Sequence, residues 1–141
     1  MLEIKYEGED VFVLACVYYK IEPQTYKTGE REGIMIEEIS ATRLKERLDA
    51  GDDIQLIDVR QPDENAFAKI DGAKLIPLGD VIRRMGEIDP KRETVIHCKM
   101  GGRSAKAIEM LKQAGFTGEI KNLKGGITAW SNEVDPRVPK Y

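Results

Sequence analysis

The residue best suited to chemistry is Cys98, which lies in the run VIHCKMGGRSAKA from Val95 to Ala107. The apolar residues before Cys98 predict a strand, and the residues after the paired glycines predict a helix. At such a junction several backbone N–H groups and the positive end of the helix dipole lie near the cysteine side chain. These surroundings lower the pKa of a thiol and bind anions, which suits a nucleophile that attacks negatively charged groups. The alternative is a buried thiol that serves only as a small apolar side chain.

The elements around Cys98 are predicted to alternate between strand and helix from residue 34 onward. Helices are predicted at 40–50 with Ser40 as N-cap, at 62–68, at 80–86 and at 104–114, and strands at 54–59, 75–76, 94–97 and 119–123. This alternation predicts an α/β fold with a mostly parallel sheet and helices on both faces. Ligands of such sheets bind at the carboxyl ends of the strands, where Cys98 falls.

The ends of the chain differ in character from the middle. Residues 1–33 read as a β-hairpin followed by a polar connector, residues 34–131 as the main domain, and residues 132–141 as a loosely held tail with two prolines. Cys16 is predicted to be a buried strand residue of the hairpin. The apolar run at 11–19 would be an aggregation-prone edge, so we expect its own domain or a second copy of the chain to cover it, which makes a homodimer through the hairpin possible.

Composition excludes several classes of function. The chain has 141 residues, 41% of them hydrophobic and 33% charged, and a net charge of -3, which fits one ordinary domain and gives no electrostatic reason to expect a nucleic-acid partner. With two cysteines and one histidine, the sequence predicts neither a metal site nor a cofactor. The N-terminus lacks the pattern of a secretory signal, and no apolar run is long enough to span a membrane. We therefore expect a cytoplasmic protein.

Four motifs, taken in order, resemble those of the single-domain rhodanese-like sulfurtransferases. They are LIDVR at 56–60, GAKLIPL at 72–78, HCKMGGRSAKA at 97–107 and LKGGITAW at 123–130. The cysteine loop is most similar to that of the rhodanese domains at the C-terminus of ubiquitin-activating-like adenylyltransferases that serve sulfur carriers. One departure is the segment Ala68-Lys69-Ile70, where many relatives have Gly-His-Ile. The resemblance implies a three-layer sandwich around a mostly parallel sheet.

The resemblance also implies a reaction. Cys98 would take the outer sulfur of thiosulfate or of a persulfide, carry it as a cysteine persulfide, and pass it to a thiol, to cyanide or to a sulfur-carrier protein. The backbone of the loop would hold the anionic outer sulfur, with the dipole of the following helix adding to the attraction. The substrate-binding residues would then be Lys99, Met100, Gly101, Gly102, Arg103 and Ser104. The expected partners are a small anionic donor such as thiosulfate and a carrier or persulfide-donor protein.

The sequence allows two roles for several side chains. Lys99 either steers anionic donors or is a solvated loop lysine, and Arg103 either contacts the substrate or pairs with a carboxylate and braces the loop. Asp58 and Arg60 are predicted to be mainly architectural, with Arg60 paired to Asp63 or Glu64, although either could support the substrate. His97 follows the strand alternation and should point away from Cys98. Trp130 is expected to plug the core.

Two other functions remain open. A phosphatase or an arsenate reductase of the same fold needs an arginine after five intervening residues, whereas only four residues separate Cys98 from Arg103. A smaller loop suits one sulfur atom better than a tetrahedral oxyanion. A non-catalytic binding module of this fold usually lacks the cysteine that is present here.

Overall fold

The structure is a computed structural model that describes residues 33–141. The predicted N-terminal hairpin, Cys16 and the proposed dimer edge lie outside the described residues. The strands are β1 (Glu38–Ile39), β2 (Ile54–Asp58), β3 (Lys74–Leu75), β4 (Glu93–His97) and β5 (Ile120–Leu123). The helices are α1 (Ala41–Asp49), α2 (Pro62–Phe67), α3 (Gly102–Gln113) and α4 (Gly126–Glu133).

The five strands form one parallel sheet in the order β1-β5-β4-β2-β3. Strand β4 lies in the middle, with β2 on one side and β5 on the other, so its hydrogen bonds are satisfied along both edges. His97, the last residue of β4, is in register with Asp58, the last residue of β2. The residues that follow these two strands therefore emerge side by side at the carboxyl edge of the sheet.

The sheet is covered on both faces, which confirms the predicted α/β architecture. One core joins Leu56 and Val95 of the sheet to apolar residues of α1 and α4, among them Leu44 and Trp130. The other core joins Ile57 and Ile96 to α3 and contains Cys98 itself, together with Ala107, Ile108 and Leu111. Because alternate strand residues point to opposite faces, Cys98 continues the Ile96 face and lies beneath α3.

Two local predictions differ from the structure. In place of the helix predicted at 80–86, the structure has two short 3-10 turns, Leu78–Asp80 and Met85–Glu87, joined by a turn at residues 81–84. Gly79 and Gly86 lie inside these two turns, and glycine has a low propensity for the interior of an α-helix. Helix α3 begins at Gly102, two residues before the predicted start at Ser104.

The C-terminal segment is packed against the domain, in contrast to the loosely held tail that its prolines suggested. Val138 is buried in the first core, and its carbonyl accepts a 2.7 Å hydrogen bond from the Ser131 hydroxyl. The side chain of Tyr141 also contacts the domain, near the cysteine loop. Between residues 33 and 141, no helix has the length and apolar character needed to cross a membrane.

Candidate active site in the Cys98 loop

The Cys98 side chain lies at the end of β4 beneath the first turn of α3 and is only 2% exposed. The Gly101 N–H donates a hydrogen bond to Sγ over 3.1 Å, and the Ser104 hydroxyl lies 3.3 Å from the same atom. Backbone N–H groups of Met100 and Ser104 also point to the sulfur. A loop with this concentration of donors is built to hold negative charge on or next to Sγ.

These donors determine the ionisation of the thiol. Burial alone raises the pKa of Cys98, because it disfavours the charged form. The Ser104 hydroxyl and the backbone N–H groups of Ser104, Gly101 and Met100 together outweigh that effect, so the pKa of Cys98 lies below its usual value. Cys98 therefore has the lowered pKa of a reactive cysteine, although it is almost fully buried.

The start of α4 turns the loop carbonyls away from the sulfur. The Ile127 N–H donates to the Cys98 carbonyl over 3.0 Å, and the Thr128 N–H donates to the Lys99 carbonyl over 3.1 Å. Gly126 makes this contact possible, since a Cβ there would collide with the Lys99 carbonyl and would lie 2.6 Å from the Cys98 carbonyl oxygen. Because these two carbonyls are fixed outward, the N–H groups of the loop can face inward without competition from negative oxygen atoms.

A third loop carbonyl is held by the side chain of Asn122 on β5. Gly101 adopts a φ of +113°, a backbone conformation that favours glycine, and its carbonyl accepts a 3.1 Å hydrogen bond from Asn122 Nδ2. Asn122 Oδ1 in turn lies 2.6 Å from the Ser104 hydroxyl oxygen. Asn122 is 4% exposed, so this buried amide joins the loop to the neighbouring strand.

Arg103 braces the loop through a carboxylate of α2. Its guanidinium forms two parallel hydrogen bonds of 2.7 and 2.8 Å with the carboxylate of Glu64. This contact lowers the pKa of Glu64 to about 2, because the neighbouring cation favours the charged carboxylate. Of the two interpretations that the sequence left open for Arg103, the pairing with a carboxylate is the one observed.

Asp58 and Arg60 form a fully buried ion pair at the end of β2. Arg60 donates to both Asp58 oxygens, over 2.9 and 2.7 Å, and also to the Ala68 carbonyl over 2.6 Å. Arg60 therefore pairs with Asp58, and the prediction that its partner would be Asp63 or Glu64 is wrong. The sharp bend after β2 brings the guanidinium back onto the carboxylate two residues earlier. Both side chains are 0% exposed and connect β2 to the segment after α2.

Lys99, Met100 and Gly102 reach the surface of the loop. The Lys99 ammonium lies 4.5 Å from the centre of the Tyr141 ring, a distance typical of a cation–π contact. The Tyr141 hydroxyl accepts from Arg60 over 2.8 Å and donates to Glu64 over 2.9 Å. The Met100 side chain is 68% exposed, and Gly102 is exposed as the first residue of α3.

His97 is buried and contacts the Cys98 backbone. Its Nδ1 lies 3.2 Å from the Cys98 carbonyl oxygen, and its Nε2 has no hydrogen-bond partner among residues 33–141. Burial lowers the pKa of His97, so the ring is held neutral. Trp130 is 6% exposed within the first core, as expected of a core side chain.

Sequence reasoning missed the residues that hold the loop from outside. These are Asn122, Gly126, Ile127, Thr128 and Tyr141. A signal for Asn122 was available, since a polar side chain in the middle of a buried strand needs a specific partner. Ile127 and Thr128 contribute only backbone N–H groups, which residue types do not reveal.

This geometry defines a class of protein: α/β domains with a cysteine loop, suited to binding an anion, at the carboxyl edge of the sheet. The family model described as "Rhodanese-like domain" matches residues 40–133, which run from the N-cap of α1 to the end of α4 and include four of the five strands. The chain belongs to the rhodanese-like domain family, and the resemblance seen in its motifs is confirmed.

Individual relatives extend this comparison. The chain is 39% identical to a sulfurtransferase of Allochromatium vinosum, over 74% of this chain and 96% of that protein. It is also 39% identical to the probable adenylyltransferase/sulfurtransferase MoeZ of Mycobacterium tuberculosis, over 73% of this chain, but the match spans only 26% of the longer protein. The crystal structure of a rhodanese-like domain protein from Staphylococcus aureus is 32% identical, covers 70% of this chain and 95% of its own, and superposes with a TM-score of 0.64.

Proposed function

We propose that this chain is a sulfurtransferase that moves sulfane sulfur through a persulfide on Cys98. The observation that carries the proposal is the polarity of the loop, whose N–H groups converge on Sγ while the carbonyls of Cys98, Lys99 and Gly101 are held outward. Such a cradle stabilises a sulfur anion without a metal or a side-chain cation in contact with it. The sulfurtransferase names of two relatives support the same reaction class.

In the first step the Cys98 thiolate attacks the outer sulfur of thiosulfate. A bond forms between Sγ and the outer sulfur, the bond from that sulfur to the sulfonate breaks, and sulfite leaves with the bonding electron pair. The product is Cys98 Sγ–S⁻, whose charge lies on the outer sulfur among the backbone N–H groups of Met100, Gly101 and Ser104. In the second step an acceptor thiolate or cyanide attacks the outer sulfur and releases the Cys98 thiolate.

Arg103 is the residue that separates this function from phosphate chemistry. A phosphatase loop uses its arginine as a bidentate clamp for the oxyanion, but Nη1 and Nη2 of Arg103 already donate to the two carboxylate oxygens of Glu64. The loop has four residues between Cys98 and Arg103, which leaves room for a single sulfur atom. Arg103 is therefore assigned a bracing role.

Lys99 and the exposed surface around it are proposed to meet the donor. The ammonium is held against the neutral ring of Tyr141, so its positive charge stays available to attract thiosulfate or an acidic protein surface. A sulfur-carrier or persulfide-donor protein fits this role as well as thiosulfate does. Lys99→Gln should raise the KM for thiosulfate and reduce the salt dependence of kcat/KM, because steering acts through the net charge.

The test of the function is intact mass after incubation with thiosulfate. Wild-type protein should gain the mass of one sulfur atom, and a reductant should remove it. Cys98→Ser should gain nothing, whereas Cys16→Ser should load like wild type, which identifies the thiol that carries the sulfur. A wild-type protein that takes up no sulfur and hydrolyses an aryl phosphate would overturn the proposal in favour of a phosphatase. A protein that neither takes up sulfur nor hydrolyses the phosphate would be better explained as a binding module.

A further inference from the structure

The Ser104 hydroxyl carries one proton but has three acceptors within reach. Its oxygen lies 2.6 Å from Asn122 Oδ1, 3.1 Å from the Gly101 carbonyl oxygen and 3.3 Å from Cys98 Sγ. A hydroxyl donates a single hydrogen bond at a time, so these acceptors compete for the proton. The shortest of the three distances belongs to Asn122.

The orientation of the Asn122 amide is fixed by its other end. Nδ2 donates to the Gly101 carbonyl over 3.1 Å, which leaves Oδ1 as the atom that faces Ser104. Turning the amide over would place its oxygen against the Gly101 carbonyl oxygen, and two acceptors repel one another. Asn122 therefore presents a permanent acceptor to the Ser104 hydroxyl, in a buried position where water does not replace it.

We propose that Asn122 is a positioning residue that withholds the Ser104 proton from Cys98 Sγ in the neutral thiol and yields it when Sγ becomes an anion. In the thiol, the Cys98 S–H donates to the Ser104 oxygen while the Ser104 O–H donates to Asn122 Oδ1. When the Cys98 proton leaves to water, the Ser104 O–H turns to the sulfur. When the charge moves to the outer sulfur of a persulfide, the hydroxyl returns to Asn122.

As a consequence, the Ser104 hydroxyl stabilises the Cys98 thiolate less than it would if Asn122 did not compete for its proton. Each time the Ser104 hydroxyl donates to the Cys98 thiolate, Asn122 Oδ1 loses its hydrogen bond, and that loss offsets part of the gain at the sulfur. A thiolate of lower pKa is also a weaker nucleophile. By limiting the stabilisation of the thiolate, Asn122 preserves the nucleophilicity of Cys98. This inference deepens the proposed function and rests on Cys98 as the reacting atom.

Two substitutions at Asn122 separate this role from a structural one. Asn122→Leu and Asn122→Asp both lose the donor to the Gly101 carbonyl, but only Asn122→Asp keeps an acceptor for Ser104. Asn122→Leu should lower the pKa of Cys98 by roughly 0.5 to 1 unit, because Ser104 then donates to the thiolate without competition. Asn122→Asp should raise the pKa of Cys98, because its carboxylate holds the Ser104 proton more strongly and repels the thiolate.

The measurement is the rate of alkylation by iodoacetamide, a neutral reagent, as a function of pH. Beyond the shifted pKa, Asn122→Leu should show a plateau rate about two- to threefold below that of wild type, as expected from the weaker nucleophile. The other charged or titratable groups close to the loop are the same in all variants, so their influence on the pKa of Cys98 cancels; they are Lys99, Arg103, Glu64, Tyr141 and His97. Circular dichroism checks that each variant is folded, and Asn122→Ala replaces Asn122→Leu if leucine does not fit.

A double-mutant cycle decides the inference. Ser104→Ala should raise the pKa of Cys98, and in that background Asn122→Leu should leave the pKa unchanged. The inference is overturned if Asn122→Leu and Asn122→Asp shift the pKa in the same direction, or if the shift persists without the Ser104 hydroxyl. Sulfur loading of wild type by thiosulfate is scored separately. If loading fails while the alkylation profiles agree, the proposed function is wrong and the assignment of Asn122 stands.

Discussion

Replacing Gly126 by alanine should disrupt the cysteine loop from a position 28 residues away in sequence. An alanine at its φ of +57° costs about 1 to 2 kcal/mol of left-handed strain. The new Cβ also displaces the carbonyls of Cys98 and Lys99, each of which accepts one hydrogen bond from α4, worth about 1 kcal/mol apiece. The free energy of unfolding should therefore fall by about 3 to 4 kcal/mol.

The assay pairs urea unfolding with the rate of sulfur loading, and Gly51→Ala is the matched control. Gly51 has a φ of +83°, but a Cβ there would meet no atom within 4 Å. This control should lose only the strain, about 1 to 2 kcal/mol, and should load sulfur like wild type. Gly126→Ala should load at least tenfold more slowly, because released carbonyls turn toward the sulfur anion. Equal losses in the two variants, with normal loading in both, would refute the reasoning.

Three further predictions concern the ion pairs that hold the fold. Glu64→Gln should lower the free energy of unfolding by about 1 kcal/mol at pH 7, since the bond to Arg103 is partly exposed. The pKa of Glu64 is lowered to about 2, so urea unfolding at several pH values should show this difference above pH 4.5 and its loss as the pH falls toward 2. The pKa of Glu93 is also lowered to about 2, by cations of α1 and β5, so protonating Glu93 over the same pH range should reduce the free energy of unfolding by at most about 3 kcal/mol. An unchanged wild-type stability from pH 5 to 2.5 would contradict this. Arg60→Met should cost about 3 to 5 kcal/mol by leaving the Asp58 charge buried alone, and adding Asp58→Asn should restore part of that loss in guanidinium unfolding.

The sequence was sufficient for the fold and for the position of Cys98, the centre of the candidate site. Alternating strand and helix patterns predicted the parallel sheet, and the position of Cys98 between an apolar strand and a helix predicted its place at the carboxyl edge. These features follow from local periodicity and from the few ways in which parallel strands connect. The count of residues between Cys98 and Arg103 likewise required no structure.

The partners of charged side chains were harder to predict. Arg60 had acidic residues within four positions on both sides, and only the bend after β2 decides that Asp58 is the partner. The contact of Arg103 with Glu64 joins residues 39 positions apart, and nothing in their types distinguishes Glu64 from other carboxylates. The helix expected at 80–86 was wrong for a different reason, because the apolar spacing of this stretch was given more weight than the low helix propensity of Gly79 and Gly86.

The carbonyls of Cys98 and Lys99 are bonded to α4, and the carbonyl of Gly101 is bonded to Asn122 of β5, so the shape of the anion-binding loop depends on the tertiary structure. A short peptide with the sequence of the loop would lack these restraints and would carry a thiol of ordinary reactivity. Local opening of β5 and α4 should switch off the low-pKa thiolate before the rest of the sheet unfolds. The pH dependence of Cys98 alkylation under mild denaturant should therefore report the integrity of the C-terminal third of the domain, because it follows the pKa of the thiol.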